Sequence, residues 1–194
     1  KSRLTMHRPR AFSPEISLFD VLTESAFLSA NYRRAIIEAL CEAQARDGGG
    51  QIIASDLTRA DMTYRQLFTR AFILSGKLNV ILSAAKNLGK DPSASPQDDK
   101  AYIGVLLPNA LGAMVTFVAL QMLSKIPCML NFSSGEANVL HACRIAQVKT
   151  VLTSRAFIEK GKLGGLASAL AREHRLIYLE DIRPSVSLAD KLCG

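Results

Sequence analysis

The residues best placed to do chemistry sit in short polar runs between apolar ones: "PN" at 108–109, "NFSSGE" at 131–136 and "TSR" at 153–155. Ser133 and Glu136 have S-x-x-E spacing, and Gly135 beside them lets a backbone approach closely. A helix starting there would present free N–H groups to an anion. The plainer reading of the same spacing is a capping box, in which Ser133 and Glu136 only close the helix end. His141, beside Leu140 and Cys143, reads as a partly buried, hydrogen-bonded helix residue and not as a catalytic base. His7 falls in the N-terminal run and His174 at a helix end.

The usual phosphate and nucleophile signatures do not occur. There is no G-x-x-x-x-G-K-[ST], no G-x-G-x-x-G and no G-x-S-x-G. "GKLGG" at 161–165 follows helical sequence where a phosphate loop follows a strand, so it reads as a kink or surface turn. The four cysteines, Cys41, Cys128, Cys143 and Cys193, are widely spaced among apolar residues and form no C-x-x-C pair. That suits reduced thiols in a cytosolic chain and argues against a structural metal site. In such a compartment the glycosylation sequon at Asn131–Ser133 is idle. From motifs alone, no catalytic or metal-ligating set is assembled.

The elements that must position these runs follow from hydrophobic rhythm. With 48% hydrophobic and 21% charged residues, the chain is globular and can bury an aliphatic core without disulfides. Ser13-Pro14 has the pattern of a helix cap followed by proline at the first helical position. A helical stripe then runs to about Arg46, with a break near Asn31, and "DGGG" ends it. "QIIAS" is a short strand, and "DMTYRQLFTRAFILSGKL" opens a second helix in which Thr63 and Gln66 have capping-box spacing. Residues 83–100 are rich in Ser, Pro, Gly and Asp and read as a loop or insertion.

From Tyr102 onward, "IGVLLP", "PCMLNF", "KTVLTS" and "RLIYLED" are short apolar runs separated by helical sequence. Four such strands with crossover helices predict an α/β fold with a mainly parallel sheet buried on both faces. The expected organisation is a basic tail at 1–12, a helical lead-in at 13–82, a loop at 83–100 and a parallel α/β subdomain at 101–194. The uncharged stretch 101–124 is long enough to span a bilayer. Pro108-Asn109 divides it, because proline breaks the helix ladder and asparagine favours a cap, so it reads as strand, turn and helix.

Net charge is +7, and Lys1, Arg3, His7, Arg8 and Arg10 crowd the N-terminus. Nucleic-acid binding would want a basic stripe along a folded face with aromatics interleaved, so no nucleic-acid partner is expected. A solvated tail, or peripheral contact with an anionic membrane surface, fits the cluster better.

"MTYRQLFTRAFILSGKL", then "IGVLLPNALGAMVTFVALQMLSKIPCMLNFSSGEANVLHACRIAQVKTVLTSRAFIEKGKL", then "IYLEDI" resemble the opening of the AMP-forming acyl-activating (adenylate-forming) synthetases. The phrases "MLNFSSG", "KTVLTSRAFIEKGKL" and "YLEDI" followed by "ADK" are more narrowly similar to the synthetase half of the bifunctional acyl-ACP synthetase/2-acylglycerophosphoethanolamine acyltransferases. The likeness covers about residues 60–191.

What the resemblance implies is part of a large N-terminal domain whose parent activates a fatty acid with ATP and Mg²⁺. The acyl group then passes to acyl carrier protein and, in the bifunctional enzymes, to a lysophospholipid. The parent would be cytoplasmic, at the inner face of a bacterial membrane. It also implies that Asn109, Asn131 and Ser133 lie on the sheet edge facing the substrate cavity. The family's phosphate loop ending in Pro-Lys, its Thr-Glu pair, ribose Asp and late Lys have no match here. An acyltransferase His-x-x-x-x-Asp pair is also missing, since the residue five positions after each histidine is Phe12, Ala146 or Leu179. The expected chain is therefore an inactive fragment with no catalytic residue and no bound cofactor. The alternative is a non-catalytic α/β module that binds an acyl chain or a partner.

Overall fold

The computed structural model describes residues 21–25, 34–56, 59–88 and 102–182. The basic tail, the Ser13-Pro14 helix start, the break near Asn31, residues 89–100 and the segment from 183 lie outside these. Within them, residues 21–25 are helical and α1 spans Ile36–Asp47. Glu38 in its first turn and Arg46 in its last complement the helix dipole, and Gly48 ends it with φ 90°.

The segment after α1 differs from its sequence reading. "DMT" is a strand and not the first turn of a helix: β2 (Asp61–Thr63) pairs antiparallel with β1 (Ile52–Ser55). The Asp61 carboxylate accepts a hydrogen bond from Ser55 Oγ across the hairpin, at 2.5 Å. Helix α2 (Tyr64–Leu88) starts directly after β2 with the expected capping box. Gln66 N–H donates to Thr63 Oγ1 at 3.3 Å, and Thr63 N–H donates to Gln66 Oε1 at 3.1 Å. Residues 83–88, read as loop, continue this helix. "SAAKNL" contains two alanines and a leucine, good helix formers that outweigh the single serine and asparagine.

The remaining strands form one parallel sheet in the order β4-β3-β5-β6, with β3 at Tyr102–Leu106, β4 at Ile126–Met129, β5 at Thr150–Thr153 and β6 at Arg175–Tyr178. Helix α3 (Leu111–Met122) connects β3 to β4, and α4 (Glu136–Ile145) connects β4 to β5. The connection from β5 to β6 is two helices, α5 (Arg155–Lys160) and α6 (Gly164–Glu173). The turn at 161–163 between them is the kink expected of "GKLGG". A final short helix, α7 (Leu179–Ile182), takes the end of what read as strand sequence.

Two apolar clusters cover the two faces of this sheet. Ile103, Val105, Leu152 and Ile177 pack against Val115, Val118 and Ala119 of α3 and Leu67, Ala71 and Leu78 of α2. On the other face, Leu106 and Val151 pack against Val139 and Cys143 of α4 and Leu166 and Leu170 of α6. Each fully buried aliphatic side chain stabilises by about 1.5–3 kcal/mol. The described part of the uncharged stretch, from Tyr102, is thus strand, turn and helix divided at Pro108-Asn109, with Val105, Leu106, Val118, Ala119 and Leu120 in the core. Gly104 is required by close packing. A Cβ there would lie 2.9 Å from Val151 Cγ2, 3.1 Å from Val148 Cγ1 and 3.2 Å from Leu130 Cδ1.

Candidate functional site

The chain goes from β3 outward to β4, then crosses back to β5 on the other side. The helices before and after this reversal lie on opposite faces, so the loops after β3 and β5 diverge. In open α/β sheets this reversal point, beyond the carboxyl ends of the strands, is where ligands bind. Here it is bounded by residues 107–110 after β3 and by Ser154 and Arg155 after β5, with the turn after β4 beside it.

At the reversal itself a hydroxyl is already committed. Thr153 is fully buried and donates from Oγ1 to the Leu106 carbonyl at 2.9 Å, tying the ends of β3 and β5 together. Asn109 is exposed one residue before the α3 cap. The cap is Ala110, with φ −143° and no side-chain hydrogen bond, so the asparagine does not cap the helix as its type suggests. A tight turn, in which Ala110 N–H donates to the Pro108 carbonyl at 2.8 Å, sets Asn109 one position too early.

Asn131 and Ser133 are also exposed, and the structure places them together. Asn131 Oδ1 accepts from Ser133 N–H at 3.0 Å and from Ser133 Oγ at 2.7 Å, capping a 3₁₀ turn at Phe132–Ser134. This turn replaces the capping box that S-x-x-E spacing suggests. Helix α4 begins at Glu136 with Gly135 as its cap, and Gly135 has φ 89° and makes no side-chain cap bond. Ser133 is drawn to Asn131 and does not reach the α4 amides. His141 is exposed and not partly buried: Val139 and Cys143 define the inner face of α4, and His141 lies between them on the opposite side.

The densest polar arrangement at this edge joins the ends of β5 and β6. Ser154 Oγ donates to Glu180 Oε1 at 2.6 Å, and Ala156 N–H donates to the same oxygen at 3.3 Å. Ser154 in turn caps α5 by accepting from Phe157 N–H at 3.3 Å. Burial pushes the Glu180 pKa up, but the bonds from Ser154 and from backbone N–H groups outweigh it and hold it below the ordinary glutamate value. Glu180 Oε2 is buried with no hydrogen-bond partner. Arg155 forks onto Asp181 with Nη1 at 2.5 Å and Nη2 at 2.8 Å, and its guanidinium lies 4.2 Å from the Tyr178 ring centroid. That hydrogen bond holds the Asp181 carboxyl below its ordinary range.

Of these four, Ser154 and Arg155 fall in the "TSR" run singled out by its strand-end position, whereas Glu180 and Asp181 did not stand out from spacing. The available signal was "TSR" at a strand end and two adjacent acids at another, 24 to 26 residues away. A bridge of a different kind links the neighbouring loops: Phe132 and Phe157 meet edge to face with ring centroids 5.1 Å apart.

The remaining reactive types lie elsewhere. His174 is at the amino end of the sheet, its Nδ1 2.8 Å from the Val148 carbonyl. Burial pushes the Cys143 thiol up to about 11, so it is neutral at physiological pH and a poor nucleophile. No three metal-ligating side chains converge among the described residues. With Asp181 held by Arg155 and Glu180 by Ser154, the residues at this edge do not fit Mg²⁺ or an ATP phosphate chain.

No protein-family model matches the chain. Solved structures share its fold. The N-terminal subdomain of NpsA from Klebsiella oxytoca superposes with a TM-score of 0.55 at 11% identity, over 79% of this chain and 33% of that one. O-succinylbenzoate coenzyme A synthetase (MenE) from Bacillus subtilis, in complex with ATP and magnesium, gives 0.54 at 15% identity, over 76% of this chain and 34% of its own. VinN in complex with 3-methylaspartate gives 0.57 at 13% identity, over 82% and 37%. The chain therefore shares the α/β fold of these structures. The chain spans about a third of the length of these structures.

Proposed function

We propose that this chain is the N-terminal part of an ATP-dependent, AMP-forming ligase that activates a fatty acid. The observation that carries the reading is the strand order β4-β3-β5-β6 with its flanking helices, a fold shared with NpsA and MenE over more than three quarters of the chain. The "V-L-L-P-N" end of β3 and the "MLNFSSG" run at β4 favour an acyl-ACP synthetase among such ligases. In this reading ATP and Mg²⁺ are handled by parts of the enzyme that correspond to the two thirds of the neighbours not spanned here. Asn109, Asn131 and Ser133 line the approach to the acyl group. The acceptor is acyl carrier protein, with onward transfer to a lysophospholipid at the inner face of a bacterial membrane; nucleic acid has no part.

The chain alone makes no adenylate in this reading, because among the described residues the arginine and the two acids at this edge are held by Ser154 and by one another. Calorimetric titration with ATP, a long-chain fatty acid and a non-hydrolysable acyl-adenylate analogue tests it. The expected result is no saturable binding of ATP or the analogue. Tight analogue binding would overturn the incomplete-site reading, and saturable binding of fatty acid alone would favour a non-catalytic acyl-binding module. A "[ST]-G-[ST]-x-G-x-P-K" run within the next hundred codons is the matching genetic expectation.

A further inference from the structure

Along a parallel strand, alternate residues direct their N–H and C=O groups to opposite sides. Each outer strand of the four-stranded sheet therefore turns every second residue away from its neighbour. In β4, Leu130 N–H donates inward to the Val105 carbonyl at 3.0 Å, so Cys128 also faces β3, while Pro127 and Met129 face outward. Pro127 has no N–H, which leaves Met129 as the one outward donor of this strand. Proline on an outer strand guards it against further pairing.

The other edge is built differently. In β6, Arg175 N–H donates inward to the Lys149 carbonyl at 3.0 Å, so Leu176 and Tyr178 face outward. Their N–H groups have no partner among the described residues. The strand has no proline and no bulge, and Arg175 is its only charge. Both of its faces are nevertheless packed, with Ile177 in the first core cluster and Leu176 against the second. A strand packed on both faces, with open donors and no guard, is one built to have a further neighbour.

We infer that β6 is an inner strand of a wider sheet, and that its outer edge takes a parallel strand from polypeptide following Gly194. The inference rests on the reading of this chain as the N-terminal part of a longer ligase, and adds where the remainder joins it. All four strands here are parallel, and a parallel neighbour needs a long crossover. The crossovers of this sheet occupy residues 107–125, 130–149 and 154–174, each longer than the 179–194 that follow β6. A separate partner fits poorly, because a four-residue edge buries far less than the roughly 1,200 Å² of a stable interface. A strand tethered to the same chain needs no such area, since its effective concentration is high.

Extending the chain through the codons after Gly194 and following amide exchange residue by residue tests this. Leu176 and Tyr178 should exchange about a hundredfold more slowly in the extended chain, with Met129 unchanged. Three results overturn the inference. One is slowing at Met129 in place of Leu176 and Tyr178, which would put the new strand outside β4. Another is no slowing at either edge, or a reading frame that stops at Gly194. The third is protection of Leu176 in the unextended chain that grows with protein concentration, which would make the occupant a second copy. Calorimetric titration of the extended chain with ATP separates this from the ligase reading. Protection of β6 without ATP binding sinks the ligase reading and leaves the wider sheet, and ATP binding without protection does the reverse.

Discussion

After β5, the polar side chains reach across the fold: Ser154 and Arg155 engage Glu180 and Asp181, each 26 residues further along the chain. After β4 they reach only their neighbours: Asn131 holds Ser133, two residues away, and Ser134 Oγ returns to the Asn131 carbonyl at 2.8 Å. Both loops flank β3 at the edge where a ligand would approach. The polar groups of the first are fixed by tertiary contacts and those of the second by a local turn, with the Phe132–Phe157 ring contact joining the two. A loop that carries its own geometry leaves its outward groups exposed and free to meet a ligand, whereas the β5–β6 end has spent its charges on one another.

The largest effect comes from disturbing what both loops share. Gly104 of β3 is paired with Cys128 of β4 and Val151 of β5. Gly104→Val drives new methyl groups into Val151, Val148 and Leu130, whose nearest atoms already lie within 3.2 Å of a built Cβ. Overpacking of this kind costs about 3 kcal/mol. Urea unfolding followed by circular dichroism should show the midpoint fall sharply, with both ends loosened together in amide exchange.

Glu180→Ala separates the two loops. It removes the acceptor of Ser154 Oγ and Ala156 N–H, and loss of hydrogen bonds to a charged group costs about 2 kcal/mol. Amide exchange should quicken through 154–157 and leave 131–135 unchanged. Equal loosening of both loops would break the comparison.

Acid sharpens the same contrast. The folded-state pKa of Glu180 lies below its ordinary value of 4.5. Its contribution is therefore fully present above that value and is lost as pH falls through the folded-state pKa. Asp181 and Glu173, lowered by Arg155 and Arg144, lose stability in the same direction. The wild-type urea midpoint should fall below pH 4.5 more steeply than that of Glu180→Gln, and the difference between the curves isolates this carboxylate.

What was legible in the sequence divides along the same line. Uniformly apolar runs announced four strands, but only the central β3 and β5 are buried on both faces, while β4 and β6, at the edges of the sheet, stay partly exposed despite their apolar sequence. The Thr63–Gln66 box was legible because both partners sit within one turn. Strand β2 was not, since three residues abutting a helix cap are too few to show a period and its pairing to β1 is tertiary. The Ser154–Glu180 and Arg155–Asp181 bonds were invisible for that reason too: spacing carries no information about side chains brought together by the parallel register of β5 and β6. At 131–136 a local pattern misled, because Asn131 offered Ser133 a closer partner than the α4 amides.

Asn131→Ala gives the smallest effect and the most direct reading of the β4 loop. The substitution removes the cap of a single 3₁₀ turn on an exposed segment, where loss of a cap costs about 0.5 kcal/mol. The urea midpoint should barely move, and exchange at 154–157 should stay at the wild-type rate. Without Asn131 Oδ1, the Ser133 hydroxyl is released and the S-x-x-E spacing can act as written, with Ser133 reaching the first amides of α4 and lengthening the helix toward 134. Backbone chemical shifts would report this as residues 134 and 135 turning α-helical. If they instead keep their wild-type values, the turn is set by Gly135 and its positive φ, and the loop's geometry rests on the backbone and not on the asparagine.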